Sequence, residues 1–197
     1  RNYDKLKIFK PFVLEDGGSL PAKITDAIKK DIDIQLIKAA SALNLENGTL
    51  KGDIVIDEND KAYVVEVATR LSGGFFCTHQ IPTTTGVDLV RQTILFATGK
   101  SIEVKELVPN HRCFTAIRYW FPKKGKLRKV PNLEKITREE NVVKADIFYP
   151  INTQFTEISK HSDRLGFVIV TSDKGSDFAK DNANHIIKKY YPDFEFA

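Results

Sequence analysis

Apolar and polar positions along this chain alternate with two different periods, and the changes of period mark its elements. Residues 5–15, KLKIFKPFVLE, have strand character, with Pro11 limiting the hydrogen-bond ladder, and Asp16-Gly17-Gly18-Ser19 reads as a turn. From Thr25 to Leu43 the period becomes helical. Ile24, Ile28, Ile32, Leu36 and Ala40 recur every fourth residue, with Ala27 and Ile37 beside them. Asn47-Gly48 then signals a stop. Two β-branched runs in LKGDIVIDENDKAYVVEVA, residues 50–68, flank Glu58-Asn59-Asp60-Lys61 and predict a hairpin. Thr85-Gly86-Val87-Asp88 has the form of a capping box opening a helix from Val87 to Thr98, and Gly99 suits the C′ position. Beyond residue 100 the pattern is mostly strand, at Cys113–Phe121, Val142–Tyr149 and Phe167–Thr171, with turns at Gly125 and Pro131. A last helix runs from Ser176 to Tyr190, with Phe178, Ala179, Ala183, Ile186, Ile187 and Tyr190 as its core stripe. Composition shifts near residue 100. The expected organisation is a first domain over 1–100 and a small α+β subdomain over 101–197.

The hairpin carries the most informative chemistry. With Asn59-Asp60 as a two-residue loop, Glu58 pairs with Lys61, Val55 with Val64 and Asp53 with Glu66. Directly paired side chains share a face about 5 Å apart. Asp53, Val55, Val64 and Glu66 then lie on one face, and Ile54, Ile56, Tyr63, Val65 and Val67 on the other. Both faces are largely apolar, which predicts a ladder covered on both sides. Two adjacent carboxylates in such a setting repel each other and resist desolvation, and a divalent cation would compensate. Mg²⁺ accepts one or two carboxylates together with phosphates and water. Arg70, just beyond the strand, could grip a phosphate with its two-pronged guanidinium. Ser72-Gly73-Gly74 offers a hydroxyl and approachable backbone N–H groups. A register shift of one residue would place Asp53 and Glu66 on opposite faces, leaving each a solvated edge charge.

Composition narrows the classes. The 197 residues are 42% hydrophobic and 28% charged, enough for a folded core, and carry a net charge of +4 with the signs interspersed. No apolar run is long enough to span a bilayer. Two cysteines exclude a disulfide framework and point to a reducing cytoplasm. The chain begins at Arg1 and contains no Met, so it is expected to be a piece of a longer protein.

Other candidate sites are weaker. Cys77-x-His79 and His111-x-Cys113 could supply four zinc ligands, but their spacing fits no zinc module; His79 lies just past the Gly-Gly loop, within reach of a substrate. Lys123-Lys124-Gly125-Lys126 with Arg128 and Lys129, beside Tyr119, Trp120 and Phe121, could bind phosphate-rich ligands or stack bases. A solvated hairpin tip is the commoner outcome, so nucleic acid is not the expected partner. His161, Ser162 and Asp163 make no triad.

Glu66-Val67-Ala68-Thr69-Arg70-Leu71-Ser72-Gly73-Gly74 resembles the C-terminal portion of the ATP-grasp superfamily, in its biotin-carboxylase-like, amino-acid-ligase-like and carbamoyl-phosphate-synthetase-like members. LNLENGTLKGDIVIDENDKAYVVEVATRLSGG, VLEDGGSLPAKI and FFCTHQIPTTTGVDLVRQTILFATGK extend the likeness over residues 12–100. Beyond this it is looser, with Arg164 to Ile169 and the following helix resembling the small subdomain of biotin-carboxylase-like members. The resemblance implies an α+β lobe: an antiparallel sheet flanked by helices, with a small α+β subdomain. It implies an ATP-dependent ligase joining a small carboxylate to an amine or thiol through an acylphosphate. Asp53 and Glu66 would bind Mg²⁺ (or Mn²⁺) bridging the ATP phosphates. Arg70 would be the catalytic contact to the γ-phosphate or acylphosphate, and Ser72, Gly73, Gly74 and His79 would face the substrate. Ala68 departs from the pattern, since many relatives have Asn there as a further metal ligand. The family's adenine-binding hinge and phosphate-binding lysines precede this portion, so it alone is expected to be inactive. The rival expectation is a non-catalytic module that keeps the fold for packing or partner binding.

Overall fold

The computed structural model describes residues 4–8, 12 and 14–197; Pro11 lies outside them. In chain order the elements are β1 (Asp4–Ile8), β2 (Leu14–Leu20), α1 (Asp26–Ala42), β3 (Lys51–Ile56), β4 (Ala62–Ala68), α2 (Ile81–Thr85), α3 (Leu89–Ala97), β5 (Phe114–Trp120), β6 (Gly125–Lys129), α4 (Leu133–Thr137), β7 (Val142–Ile147), β8 (Gln154–Phe155), β9 (Gly166–Ser172), α5 (Ser176–Tyr190) and β10 (Glu195–Phe196). A π-helical turn, Phe76–Gln80, runs directly into α2. Among the described residues no helix is long and apolar enough to cross a membrane.

By contacts the chain forms two compact units. One comprises His111–Ala197 together with the described residues up to Ala22, and the other is Lys23–Asn110. Composition divides the sequence near residue 100. Contacts divide it at 22/23 and 110/111, because β2 pairs with β5 across about a hundred intervening residues.

The first unit is a five-stranded antiparallel sheet, ordered β1-β2-β5-β9-β7, with a small sheet β10-β6-β8 beside it. Asp16-Gly17-Gly18-Ser19 is not a turn: all four residues lie within β2. Leu6 faces Gly17 and Lys7 faces Glu15, so Asp16 is the extra residue of a bulge. Gly17 has φ +132°, and a Cβ there would sit 1.9 Å from the Ile117 carbonyl oxygen. Gly17 serves close strand approach rather than reversal.

Ala179, Ala183, Ile186 and Tyr190 of α5 join Ala116, Trp120, Val168 and Val170 of the sheet in one buried cluster. The Trp120 indole Nε1 donates to the Ile187 carbonyl at 3.1 Å, so its polar atom is satisfied inside that core. Phe178, expected in the stripe, is 55% exposed. The Lys123–Lys129 segment is not a free tip, since Gly125–Lys129 forms β6 and its Leu127 is fully buried. Lys129 pairs with Glu195 at 2.7 Å.

At the end of α5 the Tyr190 hydroxyl donates to Glu139 Oε1 at 2.5 Å. That bond and burial push its pKa from 10.0 to about 12. Between about pH 10 and 12 the folded chain keeps a proton that the unfolded chain has lost, so stability falls as pH rises through this window. Denaturation series across it should show that fall, and Glu139→Gln should make it shallower. An absorbance titration of the phenols should move Tyr190 to lower pH in the same variant.

In the second unit, Thr25 caps α1, its side-chain oxygen accepting from the Ile28 N–H at 3.2 Å. Ile28 and Ile32 are buried, with Ile24 and Leu36 packed beside them against Ala62 and Ile54 of the hairpin. Ile37 is 66% exposed, outside the expected stripe. Polar α1 side chains also hold the hairpin: Asp31 Oδ2 accepts from the Ala62 N–H and Gln35 donates to the Ala62 carbonyl. Thr85 does not open the following helix. It ends α2, Gly86 follows at φ +74°, and Asp88 caps α3 by accepting from the Arg91 N–H at 2.9 Å. Gly99, at φ +74°, closes α3 as a C′ glycine.

Candidate active site

Strands β3 and β4 are joined by Asp57–Lys61. The Asp60 N–H donates to the Asp57 carbonyl at 3.1 Å and the Asp57 N–H to the Lys61 carbonyl at 3.0 Å. Asp60 takes φ 62°, giving a three-residue loop where a two-residue one was expected. Asp57 Oδ1 accepts from the N–H groups of Lys61 and Asn59, which hold its carboxyl below the usual carboxylate range. The longer loop moves the first pairs to Ile56 with Ala62, Val55 with Tyr63 and Ile54 with Val64. A bulge between Asp53 and Ile54 then restores Asp53 opposite Glu66. The face rosters change accordingly. Ile54 and Ala62 turn toward α1, while Asp53 and Glu66 lie on the other face together with Lys51.

That second face is open. Val55 is 46% and Tyr63 45% exposed, so the expectation of cover on both sides fails among the described residues. The strands still need only one packed face, because antiparallel ladders tolerate solvent on the other.

Lys51 reaches between the two carboxylates. Its Nζ lies 2.5 Å from Asp53 Oδ2 and 2.8 Å from Glu66 Oε1, and its side chain is only 15% exposed. Burial pulls the ammonium pKa down, but the bonds and charges of Asp53 and Glu66 together hold it above the ordinary value. The pair is therefore close enough for one cation to bridge it. Two carboxylates suit a hard divalent ion that keeps water or phosphate in its remaining positions. Among the described residues no group of three or more His, Cys, Asp and Glu side chains gathers around a metal position. Cys77 and Cys113 are both free thiols and lie in different units. Burial pushes the Cys77 thiol up, partly offset by a backbone hydrogen bond from Ser72.

Arg70 stands two residues past the end of β4, exposed, with Nη1 donating to the Leu71 carbonyl at 3.0 Å. Ser72 is half-buried, and Gly73 and Gly74 are exposed. A Cβ at Gly73 would meet nothing within 4 Å, leaving open space above that backbone. Gly74 and Phe75 both take positive φ, 62° and 63°, and launch the π-helical turn. The half-buried His79 ring meets Phe75 edge-on at 5.7 Å, and its Nδ1 is 2.9 Å from the Thr78 hydroxyl. Sequence reasoning missed two residues here. Lys51 lies two residues before Asp53, and its place on the same face follows once the strand register is known. Gln80 is fully buried and neither amide atom finds a partner among the described residues; nothing in its sequence context marks it.

Residues 118–189 match the family model described as L-amino acid ligase C-terminal domain 2. No curated protein matches the chain. Among solved structures it is similar to phosphoribosylglycinamide synthetase from Anaerococcus prevotii, with TM-score 0.83, 18% identity, and coverage of 99% of this chain and 48% of that one. It is similar to L-amino acid ligase from Bacillus licheniformis, with TM-score 0.75, 18% identity, and coverage of 95% and 45%. It is also similar to biotin carboxylase, in a β,γ-ATP complex, from Campylobacter jejuni, with TM-score 0.62, 17% identity, and coverage of 93% and 39%. The chain thus spans about half, or less, of the length of these structures. By its likeness to these structures and the family-model match over residues 118–189, this chain has the fold of the C-terminal portion of ATP-grasp proteins.

Proposed function

We propose that this chain is the metal-binding and phosphate-facing portion of an ATP-dependent ligase that joins a small carboxylate to an amine or thiol through an acylphosphate. The observation that carries the reading is the Asp53–Glu66 pair, held opposite on β3 and β4 and close enough to share one cation. In this reading Asp53 and Glu66 hold Mg²⁺ or Mn²⁺ on ATP. The metal, when bound, neutralises phosphate charge and aligns the transferred group. Arg70 meets the γ-phosphate or the acylphosphate from the exposed start of the loop. Ser72, Gly73 and Gly74 present a hydroxyl and backbone N–H groups to the substrate, with His79 beside them. Ala68, where many relatives carry Asn, fits a site with two protein carboxylates and fewer metal ligands. In sequence terms residues 1–100 would belong to the ATP-grasp domain and 101–197 to a small C-terminal subdomain, with β2 contributed by the first part to the sheet of the second. The adenine hinge and phosphate-binding lysines would come from other parts of the full-length protein, which is placed in the cytoplasm.

The acylphosphate gives a direct test. The full-length protein, incubated with ATP, Mg²⁺ and a panel of small carboxylates, should yield a hydroxamate when hydroxylamine replaces the natural nucleophile. The yield should require ATP, metal and one class of carboxylate together. ATP neither bound nor consumed under any of these conditions would leave the non-catalytic module as the reading.

A further inference from the structure

Lys51 is the member of this face that the ligase reading does not use. It lies two residues before Asp53 on β3, so both side chains leave the same side of the strand. Its ammonium contacts Asp53 at 2.5 Å and Glu66 at 2.8 Å. Its side chain is 15% exposed, against 28% for Asp53 and 59% for Glu66, so it is the least exposed side chain of the three. The two carboxylates repel each other, and the ammonium between them offsets that repulsion. The two carboxylates it touches, through Asp53 Oδ2 and Glu66 Oε1, are those that the proposed function assigns to the metal.

We propose that Lys51 is a placeholder cation: it occupies the position between Asp53 and Glu66 in the metal-free protein, and a divalent ion binds by exchanging with it. This rests on the reading of Asp53 and Glu66 as metal ligands. The exchange has two consequences. The carboxylates stay paired when no metal is present, so the site is formed in advance. The metal must also displace an ion pair to enter, which lowers its affinity. The displaced ammonium stays on the same strand face, tethered at Lys51.

Manganese binding, read by paramagnetic resonance on the chain, tests the exchange. Lys51→Met should bind Mn²⁺ roughly tenfold more tightly than the wild type, the scale set by losing a competing, partly exposed ion pair. Asp53→Asn should abolish binding. If Lys51→Met binds no more tightly while Asp53→Asn still abolishes binding, the exchange is refuted and the metal site stands. If neither the wild type nor Lys51→Met binds Mn²⁺, the exchange and the metal site fail together. A second readout uses only the wild type and does not depend on any variant folding. Amine acylation at Lys51, followed by peptide mass spectrometry, should be slow without metal and several-fold faster at saturating Mn²⁺. An equal rate in both conditions overturns the proposal.

Discussion

Gly17→Ala is expected to destabilise the chain by about 4 kcal/mol, the sum of a backbone term of 1–3 kcal/mol and an overpacking term of similar size. Gly17 sits at φ +132°, where an L side chain is strained whatever the space around it. The new Cβ would also stand 1.9 Å from the Ile117 carbonyl oxygen and 3.1 Å from the Arg118 guanidinium. Neither neighbour can yield. Ile117 lies in β5, paired with β2 on one side and β9 on the other. Arg118 is 2% exposed and bonded to Asn184 and to the Ile117 carbonyl. Thermal denaturation should register a fall of roughly 10 °C or more. Gly99→Ala is the control: the site has positive φ but nothing within 4 Å, so the cost should be about 1 kcal/mol. Equal losses in the two variants would show that the β2–β5 approach is looser than the structure has it.

Asp53→Asn and Glu66→Gln are each expected to lower metal-dependent hydroxamate formation at least ~100-fold, while the chain stays folded. Disturbing a group that merely supports a metal ligand costs about 10–100-fold, and removing a charged ligand should exceed this. The fold should survive because each variant leaves the other arm of the Lys51 bridge in place. Glu66 is 59% exposed, and such ion pairs contribute at most about 1 kcal/mol. Unfolding curves close to wild type, with the metal response gone, would place the loss at the site. Activity within a few-fold of wild type in both variants would remove these carboxylates from the chemistry.

The hairpin, α1 and α5 were legible because each buries apolar positions at a regular period, and period is what a sequence displays. α3 was legible from its apolar spacing and its closing Gly99, although Gln92 is its buried residue and Ile94 and Phe96 are exposed. The Asp53–Glu66 pairing was legible as well, although by a partly mistaken route. The expected two-residue loop is three residues long, and the bulge beside Asp53 restores the pairing that the loop shifts. Features that depend on non-local approach were not legible. Gly17-Gly18 has the composition of a turn, and only the strand at Ile117–Arg118 explains why it is extended. For the same reason the membership of β2 in the later sheet escaped a boundary drawn from composition. Ile37 and Phe178 have the right spacing but point away from the buried clusters, since a stripe's edges depend on how far the neighbouring element extends. At the site, Lys51 is one of 30 Lys and Arg residues, and it stands out only once the register is known. The resemblance was strongest over residues 12–100, whereas the family model matches 118–189. The two observations cover different parts of the chain.

Asp53 and Glu66 are proposed as the metal centre of a nucleotide site. Calorimetry of ADP binding to the full-length protein, with and without Mg²⁺, tests it most directly when wild type and Glu66→Gln are compared. Mg²⁺ should strengthen ADP binding in the wild type and have no effect in the variant. An equal response to Mg²⁺ in both proteins would contradict it.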